Sequence, residues 1–216
     1  MQIDKYINEG RPRLLLFFSG WSASPALFYD LEPEPDQDVW IVYDYRNLDF
    51  EADLESYRSV TLIAWSLGVW VAEQVFASCE KLNFERKIAI AGTGRPIDDL
   101  EGIPVAIFQG TIEHLSPDGI RRFNRRMCGS KPALEKWDSV SPRPLEEISE
   151  ELRFLFAAIR QKGDSVFEWT DAIVTDQDRI FPSEAQKTHW LRRTISIFEY
   201  ESSHYIFYLW KQWKKL

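Results

Sequence analysis

Ile63-Ala64-Trp65-Ser66-Leu67-Gly68 is the stretch whose reading decides the fold. The run that enters it, Val60–Trp65 (VTLIAW), is apolar nearly throughout, as a strand buried on both faces must be. The run that leaves it, Leu67–Cys79, repeats Val69, Ala72, Val75 and Phe76 at helical spacing. A strand that passes into a helix at a single residue forces that residue into a strained backbone conformation and exposes its side chain at the carboxyl end of the sheet. Ala64 and Gly68, two residues to either side, are small, as expected if they face each other across the turn. The pattern G-x-S-x-G stands here as A-x-S-x-G. Ser66 is therefore a candidate nucleophile; the competing reading is a serine that caps a helix.

Working outward, further β-rich runs lie at Arg13–Ser19, Val39–Tyr45 and Lys87–Ala91, the last followed by Gly92-Thr93-Gly94. Strand character returns at Trp169–Thr175 and Thr194–Tyr200, with a helix between them at Ser183–Trp190. Short apolar strands alternating with helices predict a mostly parallel sheet flanked by helices, an α/β fold. From Pro96 to about Lys162 the pattern is helical instead, with two or three helices expected around Asp118–Met127, Ala133–Ser139 and Pro144–Gln161. We read 96–162 as a helical lid inserted before the last strands of one domain spanning 1–216. Phe207–Lys215 reads as a closing helix whose late lysines suit the negative end of its dipole.

A serine hydroxyl needs a general base, and the base needs an orienting carboxylate. On a fold of this type they follow in the order Ser, Asp or Glu, His. Of three histidines, His204 follows the last strand at the carboxyl end of the sheet, where ligands bind in open α/β sheets. His189 falls inside a helix and His114 precedes the turn before the helical segment, so His204 is preferred over both. Asp178, at the tip of the loop after the penultimate strand, is the candidate carboxylate, with Asp176 as the fallback; either could be an ordinary turn aspartate. A tetrahedral intermediate needs two backbone N–H donors. We expect them from Leu67, after the nucleophile, and from Trp21, which follows Gly20 in the loop after the first buried strand. The indoles of Trp21 and Trp65 would wall an apolar slot there, with Gly20 allowing close approach of the backbone.

The chain has 216 residues, 44% hydrophobic and 28% charged, far from the profile of a disordered chain. Its 26 Lys and Arg against 34 Asp and Glu give a net charge of −8, the wrong sign for a wholesale nucleic-acid binder. Two cysteines, Cys79 and Cys128, are too few for a disulfide scaffold and lack C-x-x-C spacing, so no metal site and no cofactor is expected. MQIDKYINEG carries no secretory h-region, and no apolar run approaches the roughly 18 residues of a membrane span. These features predict a soluble protein of a reducing compartment, the cytoplasm. Nine Trp and 14% aromatics are more than a core of this size needs.

Against the acidic whole, Arg121-Arg122-Phe123-Asn124-Arg125-Arg126 places four guanidiniums on one broad helix face, although like charges at i, i+4 oppose the helix that carries them. Such a face suits carboxylates and phosphates and so an acidic partner, for example a carrier protein bearing a phosphopantetheine-linked substrate. Its competing reading is a solvated face paired with Glu146, Glu147, Glu150 and Glu151.

With these residues assembled, the chain resembles the α/β-hydrolases over nearly its whole length. More narrowly it resembles the BioG type of pimeloyl-[acyl-carrier protein] methyl ester esterase. The resemblance rests on LLLFFSGWSAS, IAWSLGVW, AIFQGTIEHLSPDGIRRFNRRMCGS and SSHYIFY. It implies hydrolysis of the methyl ester of a pimeloyl group on acyl-carrier protein during biotin synthesis, with Ser66, Asp178 and His204 as the triad. By similarity to esterases of that pathway, Arg121, Arg122, Arg125 and Arg126 would contact the carrier protein. Two other readings use the same residues: a broad carboxylesterase or thioesterase, and a non-catalytic binding protein of hydrolase fold that works through the arginines.

Overall fold

The apolar runs pair into one seven-stranded sheet in the computed structural model, which describes residues 1–77, 82–163, 165 and 167–213. The strands are β1 (Gln2–Ile7), β2 (Arg13–Phe18), β3 (Gln37–Tyr43), β4 (Ser59–Trp65), β5 (Phe84–Ile90), β6 (Asp171–Thr175) and β7 (Ser196–Tyr200). Across the sheet they run β1-β3-β2-β4-β5-β6-β7. β1 is antiparallel to β3, and every other pairing is parallel. The helices are α1 (Leu67–Phe76), α2 (Val105–Glu113), α3 (Pro117–Cys128), α4 (Lys131–Asp138), α5 (Leu145–Gln161) and α6 (Ser183–Trp190). Four of them, α2 to α5, lie in sequence between β5 and β6, where the sequence predicts helices.

Burial follows the strand order. Leu14 to Phe18 of β2 and Gln37 to Val42 of β3 are buried at every position, so a continuous apolar run was the right signature for the middle of the sheet. β1, at the edge, reads QIDKYI; its charges shield an exposed edge and also hid it from a search for apolar runs. α2 was missed as well, because it buries only Phe108 and so shows no helical period of core residues.

The closing helix expected over Phe207–Lys215 does not form. A 3₁₀ turn at Ile206–Leu209 is followed by chain that runs beside residue 32, with Glu32 N donating to Lys211 O and Trp213 N donating to Glu32 O. This route drops Phe207 and Trp213 onto Phe17 and Phe28, with ring centroids 4.9–6.4 Å apart. Burial of those aromatics outweighs the propensity of the segment. Lys214 to Leu216 lie outside the described residues, as does Cys79 at the expected end of α1.

All nine tryptophans are buried, none more than 7% exposed, so the core takes up the aromatic excess that the composition suggested. Several indoles also tether loops, as the site below shows. One buried ionic cluster fixes the head of α5: Arg143 reaches Asp44 at 2.8 Å and Glu151 at 2.7 Å, and Glu151 accepts from Tyr45 N at 3.0 Å. Burial pushes the Glu151 carboxyl up, against the opposing pull of Arg143.

Candidate active site

Ser66 is the hinge of the elbow. Its φ of 60° and ψ of −129° are far from helical, and it makes no side-chain cap to α1, which leaves its hydroxyl free for other work. Such a conformation costs about 1–3 kcal/mol and persists because its surroundings dictate it. Ser66 N donates to Ile90 O at 2.9 Å, carrying the β4–β5 pairing into the turn.

Three glycines give the turn its room. A Cβ on Gly68 would lie 2.4 Å from Ser19 O and 2.6 Å from Phe18 O. The nearest atoms there belong to the end of β2. A Cβ on Gly20 would stand 2.8 Å from the Trp65 ring and 3.1 Å from Ser66 Cβ, and one on Gly92 would strike Ser66 O at 2.4 Å.

The three predicted side chains converge. His204 Nε2 lies 2.9 Å from Ser66 Oγ, and His204 Nδ1 lies 2.7 Å from Asp178 Oδ2. Since an ionised carboxylate only accepts, Nδ1–H donates to Asp178, and Nε2 is left to accept the serine proton. Asp178 is itself fully engaged. Its Oδ1 accepts from Ile180 N and Phe181 N at 2.8 and 2.9 Å, and its Oδ2 accepts from Thr175 Oγ1 and Gln186 Nε2, each at 3.0 Å. These bonds hold a buried carboxylate in place without a cationic side chain. Asp176 is not at the site; its Oδ1 accepts from Ser202 N at 3.1 Å and braces the loop that carries His204.

That loop is tied from several sides. Trp65 Nε1 donates to His204 O at 3.0 Å, Ser203 Oγ to Cys128 O at 2.6 Å, and Tyr205 N to Met127 O at 3.2 Å. The imidazole itself lies between the rings of Trp65 and Phe181, at 5.2 and 6.0 Å. Two of the loop bonds reach the C-terminal end of α3, so the helix bearing the arginines also supports the histidine. Cys128 is buried, and burial pushes its thiol up to about 12, which leaves it without thiolate reactivity at neutral pH.

Neither the Trp21 nor the Leu67 amide donates a hydrogen bond to another group among the described residues. Both belong to the turns that meet at Ser66. The Trp21 indole is fixed, its Nε1 donating to Ile148 O at 2.7 Å and its ring edge-on to Phe123 at 5.0 Å. Trp21, Trp65, Phe108, Phe123, Arg126 and Leu152 enclose a chamber of about 30 Å³ over Ser66 and His204. Trp190 Nε1 donates to Gly92 O at 3.1 Å and supports the elbow from the far side.

His189 is fully buried and structural. Its Nε2 accepts from Gly94 N at 3.1 Å and its Nδ1–H donates to Glu101 at 2.8 Å. His114 caps the end of α2, its Nδ1 2.7 Å from Gly110 O. No group of three or more His, Cys, Asp or Glu side chains placed to hold a metal ion occurs among the described residues. Nor is any helix among them long and apolar enough to cross a membrane.

The arginines of α3 divide in two. Arg121 pairs with Asp118 and lines a cavity beside Ser22 and Trp137, whereas Arg122 and Arg126 line a groove between α2 and α3. The two flanks of that face thus border different cavities. Three of the four acidic residues of the competing reading pair elsewhere, Glu147 and Glu150 with Arg46 and Glu151 with Arg143, and Glu146 forms no ion pair with the α3 arginines among the described residues. Arg122, Arg125 and Arg126 form no ion pair among the described residues.

A family profile described as pimeloyl-ACP methyl esterase BioG matches residues 1–216. The chain belongs to this family. A solved structure of BioG from Haemophilus influenzae is 37% identical, covers 100% of this chain and 99% of its own, and superposes with a TM-score of 0.95. The BioG-family chain is also 41% identical over 197 residues to a malonyl-[acyl-carrier protein] O-methyltransferase of Bacteroides fragilis. It covers 90% of itself there but spans only 40% of that protein's length. An esterase from Exiguobacterium antarcticum, 13% identical, matches 92% of this chain and 87% of its own at a TM-score of 0.68. The fold is thus that of the α/β-hydrolases, and the family makes this BioG-type chain a carboxylic ester hydrolase.

Sequence reasoning passed over Thr175, Gln186 and Trp190. Nothing in a single sequence marks a glutamine eight residues beyond the aspartate as its partner. Gly92 was visible as the end of β5, but its closeness to Ser66 depends on the pairing of β4 with β5.

Proposed function

We propose that the chain hydrolyses the ω-methyl ester of pimeloyl-[acyl-carrier protein] methyl ester to pimeloyl-[acyl-carrier protein] and methanol, in biotin biosynthesis. The observation that carries the chemistry is the continuous relay from Ser66 Oγ through His204 to Asp178, with its 2.9 and 2.7 Å bonds. Membership of the family supports the substrate.

His204 Nε2 takes the Ser66 proton as Oγ attacks the ester carbonyl, forming a tetrahedral oxyanion that the Trp21 and Leu67 amides receive. Asp178 holds the imidazole in the tautomer this requires and stabilises the imidazolium. His204 then gives its proton to the departing methoxide, releasing methanol and leaving an acyl-serine. Water, deprotonated by the same imidazole, attacks that ester; Ser66 Oγ leaves with the proton and the free carboxyl product departs. Gly20, Trp21 and Trp65 shape the substrate's position at the serine. The 96–162 segment acts as a lid over it. Arg121, Arg122, Arg125 and Arg126 meet the acidic carrier protein, and the absence of ion pairs at three of them supports that role.

The test is incubation with methyl pimeloyl-carrier protein and detection of free pimeloyl-carrier protein. Ser66→Ala is expected to lower kcat by at least about 10⁴-fold with unchanged circular dichroism. Comparable turnover in that variant would remove the assignment. Labelling of Ser66 by a fluorophosphonate separates an enzyme from a binding module.

A further inference from the structure

Hydrolysis through an acyl-serine exchanges two small molecules at one point: the alcohol must leave before water can arrive. In between, Ser66 holds the acyl chain and everything attached to it, so whichever mouth admitted the substrate stays filled. The chamber itself offers little to hold water. Its wall is mainly aromatic and aliphatic, and the Thr111 hydroxyl is spent on Ile107 O at 2.9 Å.

A wetter space lies one layer of side chains away. On the other side of α3 a cavity of about 620 Å³ has room for many waters and presents the hydroxyls of Ser22, Ser24 and Ser141. It shares no wall residue with the chamber, yet three of its residues adjoin chamber walls. Ser22 follows Trp21, Asn124 follows Phe123, and Ile148 accepts the Trp21 indole hydrogen bond at 2.7 Å. Ser22 is only 8% exposed, and neither its Oγ nor Asn124 Oδ1, both buried, has a partner among the described residues. A buried oxygen left so is costly, and water is what satisfies it.

The two rings of the partition are held differently. Trp21 is pinned through its indole N–H, whereas Phe123 is half-buried and rests on ring contacts, edge-on to Trp21 at 5.0 Å and with the Arg126 guanidinium 6.0 Å from its centroid. We propose, on the esterase reading above, that the cavity is the solvent passage of the acyl-enzyme: methanol leaves and water enters past Ser22 and Asn124, with the Phe123 ring as the shutter. A swing of that ring joins the two spaces while Trp21 stays in place and keeps its amide at the oxyanion. No bond forms or breaks in the passage; the water it delivers is the one His204 deprotonates.

Val140→Trp and Ser141→Trp fill the cavity from the loop between α4 and α5, away from the elbow and from His204. At saturating methyl pimeloyl-carrier protein each should lower kcat by about tenfold, exchange of small molecules having become the slow step. p-Nitrophenyl acetate, whose short acyl group leaves the mouth open to solvent, should keep its wild-type kcat. The inhibition constant of the product, pimeloyl-carrier protein, should also stay at the wild-type value, since docking is untouched. An unchanged kcat on the carrier-linked ester, an equal loss on both esters, or a loss accompanied by weaker product binding would each overturn the passage while sparing the esterase. Failure of the wild-type protein to cleave the carrier-linked ester would overturn the esterase reading, and the passage with it.

Discussion

Ser66 pays a conformational penalty that a residue without Cβ would escape. Ser66→Gly and Ser66→Ala are both expected to be inactive, but the glycine variant should be the more stable by about 1 kcal/mol, read as a later urea midpoint at equal m. Equal midpoints would mean that the elbow carries no strain. Trp65 makes a different demand, because its indole N–H satisfies the buried carbonyl of His204. Trp65→Phe keeps a ring and loses the donor, so it should destabilise by about 1–3 kcal/mol and lower kcat more than it raises KM. At this scale much was legible. Ser66, Asp178 and His204 could be found because each follows a strand at the same end of the sheet, and chain order then selected among three histidines. The partners of Asp178 were not legible, since Thr175 meets it through the geometry of the turn after β6 and Gln186 only through the packing of α6 beside that turn.

Helix α3 shows what local chemistry can announce. Ser116 accepts from Gly119 N, Pro117 occupies the first turn, and Gly129 at φ 66° closes the helix, so its ends were written in residue type. α2 carries no such marks; Pro104 caps it without a side-chain bond and its exposed Val105 and Ile107 mimic a core segment. α5 depends on a third device, the buried Arg143 between Asp44 and Glu151. Arg143→Met would strand the fully buried carboxylate of Glu151, while Asp44 keeps its pairing with Arg46, and is expected to cost about 3–5 kcal/mol in chemical denaturation. A loss below about 1 kcal/mol would show that water replaces the guanidinium. Because α5 also supplies the Ile148 carbonyl that anchors Trp21, the same variant should lose esterase activity before it loses its sheet.

Taken whole, the molecule has a pH-sensitive point remote from the serine. Burial pushes the His189 imidazole down to about 4, helped by Arg193 and opposed by Glu101. Below about 6.5 the unfolded chain takes up a proton there that the folded chain refuses until about 4, so this residue's contribution makes stability fall as pH drops through that window. His189→Gln, which cannot titrate, should flatten the slope of unfolding free energy against pH between 4 and 6.5; an unchanged slope would exonerate the imidazole. The mostly parallel sheet and the helical segment before β6 could be anticipated from alternating runs, whereas the division of the α3 arginines could not, because it depends on which cavity each flank of that helix faces. One attachment has a practical corollary. The Met127 and Cys128 carbonyls hold the Tyr205 amide and the Ser203 hydroxyl, so the α2–α5 region is no interchangeable cassette: a chimera that swaps it for a relative's would misalign the imidazole even with every reacting side chain retained.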